Sequence, residues 1–110
     1  MTVTARVYDP VNPDQPPRVL VDRLWPRGIR KDDQRVGTWL PEVAPSNGLR
    51  TWYHHHPDEF DQFATDYRQE LAGSKPLEQL RALGPVTLVT AARDPGRSHL
   101  AVLAKVLTET

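Results

Sequence analysis

The chain has no cysteine among its 110 residues. That excludes disulfides, thiolate metal sites and a cysteine nucleophile. No apolar stretch approaches the roughly 20 residues of a membrane helix. The first residues, MTVTARVYDP, lack the basic region and apolar run of a signal peptide, so the cytoplasm is the expected location. Neither sign of charge is in excess: 14 basic and 14 acidic residues give a sequence pI near 6.9. Non-specific nucleic-acid affinity draws on clustered, unbalanced Lys and Arg, so this balance argues against a nucleic-acid partner while leaving room for a local basic pocket. The GxGxxG, GxxxxGK, HExxH and GxSxG patterns are all absent. The familiar nucleotide, zinc-protease and hydrolase signatures are therefore missing, and the residues name no cofactor.

What is plentiful is proline, with 11 residues scattered through the chain. They punctuate one folded domain, residues 1–110, rather than a disordered one. Val3 to Tyr8 alternates apolar and polar residues, as a half-exposed strand does. A proline-rich loop follows, then Val19 to Asp22, a short strand apolar on both faces and hence central. Val36, Trp39, Leu40 and Val43 recur at helical spacing around Pro41, which limits any helix there to a short one. Ser46 is placed to cap a short turn carrying Leu49 and Trp52. Phe60, Phe63, Ala64, Tyr67 and Leu71 form an apolar stripe on a helix spanning about 57–72, with Asp58 and Glu59 in its first turn. A shorter helix follows, opened by Pro76 and stopped at Gly84-Pro85. Val86 to Thr90 is the second central strand. It starts a strand–loop–helix unit in which Ser98 is the cap and Leu100, Leu103, Ala104 and Leu107 face the core. This order predicts an α/β fold: one small domain with a short mixed or parallel sheet, packed by several helices and ending in the strand–loop–helix unit.

Ligands of open α/β sheets bind outside the carboxyl ends of the parallel strands. Here one strand runs into Asp22, Arg23, Arg27 and Arg30, and the other into Arg93, Asp94, Arg97 and His99. If the strands are parallel neighbours, both loops form one cleft beside the N-terminus of the last helix, a place suited to a phosphate or carboxylate. Arg23, Arg27 and Arg93 are the expected clamps, with Asp94 and Ser98 beside the ligand. Asp22 would orient an arginine or act as a base, and His99 would transfer a proton. The structural alternative is that Asp22 accepts backbone N–H groups or pairs with Arg93 simply to hold the two loops. A metal site is not expected. Consecutive His54, His55 and His56 do not converge on one ion, and a mixed set of His56, His99 and Asp22 is the lesser alternative.

The segments VLVDRLWPRGI, WLPEVAPSNGLRTWYHHHPDEFDQFATDYRQEL and GPVTLVTAARDPGRSHLAVL together resemble the YeaO-like family of small bacterial proteins, from about Arg6 to Leu107. The resemblance implies a cytosolic α/β domain with no settled activity. It picks out Asp22, Arg23, Trp25, Pro26, Arg27 and Gly28 in the first loop. Around the middle helices it picks out Pro45, Ser46, Arg50, Trp52, His56 and Asp58, and in the last unit Asp94 and His99. It further implies that longer relatives carry cysteines where this chain has Thr90 and Ser98, so their thiol chemistry is not shared. Some members bear a MarR-type regulator label, but no helix-turn-helix with a basic recognition helix is legible here. Two readings stay open. One is a small-ligand site for an anionic, phosphate-type molecule, with catalysis undecided; the other is a non-catalytic protein-interaction or regulatory binding module.

Overall fold

Four prolines lie between Pro10 and Pro17. Each fixes its own φ and pushes the preceding residue toward extended backbone, so no helix forms before the chain reaches Arg18. In the computed structural model, which describes residues 2–109, this proline segment separates two strands of one sheet. The strands are β1 (Val3–Arg6), β2 (Arg18–Leu20), β3 (Thr38–Trp39) and β4 (Thr87–Thr90). Their order is β1-β4-β2-β3 and every pairing is parallel. The two inner strands are β2 and β4, with Val19 opposite Leu88 and Leu20 opposite Val89. Both are buried along their length, as expected of strands covered on two faces. The pairing runs on past the strand end, where Val21 N–H donates to the Val89 carbonyl.

Parallel strands need long crossovers; the one from β3 to β4 is helical, and a further helix follows β4. The helices are α1 (Asn47–His55), α2 (Phe60–Leu71), α3 (Lys75–Ala82) and α4 (His99–Thr108). Ser46, Ser74 and Ser98 cap α1, α3 and α4, each accepting a backbone N–H from the first turn. All four helices pack on one side of the sheet. Leu49, Phe63, Tyr67, Leu80, Leu100 and Leu103 meet Val19, Val21 and Leu88 there. The opposite face carries Leu20 and Val89 and has no helix. Val7, Ile29 and Val36 cover it, with Trp25 packed against them. The long loop after β2 thus does the work that a second helical layer does in larger α/β proteins. Asp33 pins that loop by binding the Arg35 guanidinium at 2.8 Å and accepting its backbone N–H at 2.9 Å. Arg18, a buried cation in β2, donates to the carbonyls of Arg35 and Pro10.

Three expectations are corrected. The helical spacing of Val36 to Val43 resolves into strand β3 and a single 3₁₀ turn, Pro41–Val43, because Pro41 cannot donate within a helix. The turn around Leu49 and Trp52 is a nine-residue helix that takes in His54 and His55. Helix α2 begins at Phe60, so Glu59 is its N-cap residue and Asp58 lies outside; a bend after the HHHP run separates α1 from α2. The last helix faces the core with Leu100, Leu103, Ala104 and Leu107, as expected, and buries Val102 and Val106 besides.

A cleft at the carboxyl ends of the inner strands

Because β2 and β4 are parallel neighbours, the loops that leave them emerge on one edge of the sheet. Between them lies an open cleft of about 1080 Å³. Asp22, Arg23, Arg27, Arg93, Asp94, Ser98 and His99 line it, whereas Arg30 of the first loop does not. Arg50, from α1, and Arg97 bring the number of lining arginines to five, against the two carboxylates Asp22 and Asp94.

Asp22 is the joint of this cleft. One oxygen accepts the Thr90 hydroxyl at 2.7 Å, and the other accepts the Ala91 N–H at 2.8 Å. Nε2 of His99 stands 3.1 Å from the carboxylate and 3.0 Å from the Val21 carbonyl. Both of those neighbours accept, so Nε2 carries the proton. Both side chains are 15% exposed. Burial works to raise the Asp22 pKa. The hydrogen bond and charge of His99, with the Ala91 N–H and the Thr90 hydroxyl, outweigh it and hold the carboxyl below the ordinary aspartate value.

The hydroxyls are committed elsewhere. Thr90 donates to Asp22, and Ser98 donates to the Pro95 carbonyl at 2.8 Å while accepting the Leu100 N–H. The Ser98 backbone N–H is also taken, by the Pro95 carbonyl. Neither hydroxyl is bonded to His99, so no nucleophile–base pair of the serine-hydrolase kind is assembled.

The arginines divide into two groups. Arg23 spends its guanidinium on the carbonyls of Pro45 and Ala44, at 3.1 Å each. It fastens the first loop to the segment before α1. Arg27, Arg93, Arg50 and Arg97 are exposed. Among the described residues, no carboxylate lies within ion-pair distance of any of the five. Two tyrosines hold the loops that carry them. The Tyr8 hydroxyl donates to the Arg27 carbonyl at 3.0 Å and the Tyr53 hydroxyl to the Arg97 carbonyl at 2.8 Å. Arg6 adds a third tie, donating to the carbonyls of Ala91 and Ala92. Tyr8 and Tyr53 escape a reading of the sequence, because neither sits in a polar motif. Parallel pairing of β1 with β4 brings the first to the cleft, and the position of α1 brings the second.

Trp25 is half-buried and donates its indole N–H to the Ile29 carbonyl at 2.7 Å. It packs on the helix-free face and meets Trp39 edge-on at 5.3 Å. His56 stacks on Trp52 and bonds its carbonyl, which gives that histidine a structural place at the end of α1. Among the described residues, no three or more His, Asp or Glu side chains converge as metal ligands. None of the described helices is long and apolar enough to cross a membrane.

Comparison with known proteins places this architecture. No solved structure matches the chain. The uncharacterised protein Mb3100c of Mycobacterium bovis is 58% identical over 106 residues, covering 94% of this chain and 90% of that protein. Rv3073c of Mycobacterium tuberculosis, also uncharacterised, matches at the same identity and coverage. The uncharacterised protein YeaO of Escherichia coli is 39% identical over 103 residues, covering 90% of both chains. The model of one domain family, described as the inactive DUF488-N3 subclade, matches residues 1–110. The chain therefore belongs to the inactive DUF488-N3 subclade, the YeaO-like group that its loops and last strand resemble.

Proposed function

We propose that this domain is a cytoplasmic binding module for a small anionic, phosphate-type molecule, held in the cleft without being turned over. The observation that carries the reading is the concentration of charge. Five arginines line one cleft of a chain whose overall charge is zero, and none is paired with a carboxylate among the described residues. Guanidinium groups left uncompensated in a concave site attract an anion and hold it through paired hydrogen bonds. Arg27 and Arg93 are the intended clamps, with Asp94 at the rim. Asp22 and His99 serve as the brace that keeps the two loops in register, and Ser98 as the helix cap. The subclade's description as inactive and the hydroxyls' engagement away from His99 support binding over catalysis.

Thermal unfolding with inorganic phosphate at constant ionic strength tests the reading. A ligand that binds only the folded state stabilises it by RT ln(1 + [L]/Kd), about 2.7 kcal/mol at a hundredfold excess over Kd. Arg27→Ala and Arg93→Ala should each remove most of that gain while the ligand-free protein stays folded. Arg30→Ala should keep it, since the Arg30 side chain is 88% exposed and lies outside the cleft. Arg81 is unsuitable as that control, because it donates to the Val106 carbonyl near the end of α4. Absence of any phosphate effect, or its equal loss in Arg30→Ala, would remove this function and leave a protein-interaction module as the reading.

A further inference from the structure

We infer that the anion this cleft takes is carried on a planar aromatic body, which makes the ligand class a nucleoside phosphate; the inference rests on the phosphate-binding reading above. Size is the first reason. A cleft of about 1080 Å³ lies just above the roughly 300–1,000 Å³ usual for small-molecule sites, and a bare phosphate would leave most of it empty.

The second reason is independent of charge. Large apolar side chains rarely stay in water without a purpose when they gather at a groove. Five are exposed among the described residues, and two of them line this cleft: Tyr8, 36% exposed, and Leu24, 63% exposed. Trp39, also 36% exposed, stands edge-on against the cleft residue Trp25. The Arg6 guanidinium lies over one face of the Tyr8 ring, 5.1 Å from its centroid, so a base would take the opposite face. An aromatic ring exposed beside a guanidinium is a surface on which a nucleobase stacks.

Third, the apolar and cationic parts are physically joined. The Tyr8 hydroxyl donates to the carbonyl of Arg27, so the stacking ring is tied to the backbone that carries an anion clamp. A molecule with a base at one end and a phosphate at the other satisfies both at once. Sugar phosphates or inorganic phosphate satisfy only the second.

Calorimetric titration of the intact chain with adenosine 5′-monophosphate, ribose 5-phosphate and inorganic phosphate, at fixed salt, tests the inference. The nucleotide is expected to bind roughly five- to a hundredfold more tightly than ribose 5-phosphate, the range for stacking one base on an aromatic side chain. Tyr8→Ala should bring the nucleotide down to the sugar phosphate's affinity. Tyr8→Phe, which keeps the ring and loses the tie to Arg27, should weaken all three ligands together and preserve their ratio. Circular dichroism on each variant checks that the fold is intact. Equal affinity for nucleotide and sugar phosphate overturns the nucleoside inference while leaving the phosphate site standing, as does a full nucleotide preference in folded Tyr8→Ala. If no phosphate compound binds in an Arg27-dependent way, both readings fall together.

Discussion

The Asp22 carboxylate and Nε2 of His99 stand 3.1 Å apart, one just past β2 and the other at the first residue of α4. The same carboxylate takes the Ala91 N–H and the Thr90 hydroxyl, so one side chain joins the exits of both inner strands to the last helix. Removing it leaves the Ala91 N–H and the Thr90 hydroxyl without that acceptor and His99 Nε2 with the Val21 carbonyl alone. Breaking a buried charged network of this kind costs about 3–5 kcal/mol, and that loss is expected for Asp22→Ala in urea unfolding. A loss below about 1 kcal/mol would show that water replaces the carboxylate freely and that Asp22 is no brace.

The pH dependence follows from the same network. Asp22 gains its partners only in the folded chain, so its folded pKa is depressed below the unfolded value. Its stabilisation is present above the unfolded value, about 3.9, and is lost as pH falls through the lower, folded one. Asp33 acts in the same direction, its pKa held at about 2 by hydrogen bonds from Arg35. Urea midpoints of wild type and Asp22→Asn should differ by a constant amount above about pH 5 and converge below about pH 4. Salt should weaken the partly exposed Asp33–Arg35 pair more than the Asp22 network. A gap between wild type and Asp22→Asn that widens in acid would reverse the assigned shift.

Gly37 and Gly84 both have positive φ, at 69° and 77°. Space separates them. A Cβ on Gly37 would lie 2.1 Å from the Arg18 carbonyl oxygen, whereas one on Gly84 meets nothing within 4 Å. Gly84→Ala should cost about 1 kcal/mol, the conformational penalty alone. Gly37→Ala adds a backbone collision where the loop returns beside β2, and at least about 3 kcal/mol is expected. Chemical denaturation of the two variants side by side decides the matter; similar losses would mean the loop after β2 shifts without strain.

Arg23 and Arg27 look alike in the sequence and should behave differently. Arg23 donates to the carbonyls of Pro45 and Ala44, each bond from a charged donor being worth about 1.5–3 kcal/mol. Its exposure is intermediate, so Arg23→Ala should destabilise by about 2 kcal/mol. Arg27→Ala should change stability by less than about 0.5 kcal/mol while abolishing phosphate binding. The reverse pattern in unfolding and titration would exchange their roles.

Much of this molecule was legible in one dimension. Alternation and continuous apolar runs located β2 and β4 because burial on two faces leaves a plain compositional trace. The serine caps of α1 and α4 and the stripe on α2 were readable because capping and helical burial act within a few residues. Parallel pairing of the inner strands then put the residues of both loops around one cleft, as the position of ligand sites in α/β sheets suggests.

What the sequence left to the tertiary structure is the division of labour among those residues. Whether an arginine is a clamp or a strut depends on which carbonyl lies within reach, and the carbonyls that Arg23 finds are supplied by a segment distant in the chain. The asymmetry of the sheet, helices on one face and a loop on the other, was equally invisible, because Val19 and Leu20 are equally apolar and differ only in the side to which they point. Tyr8 reached the cleft through strand pairing and Tyr53 through the placement of α1. Short-range chemistry wrote the elements into the sequence. The roles of the cleft residues came from contacts that exist only after the chain has folded.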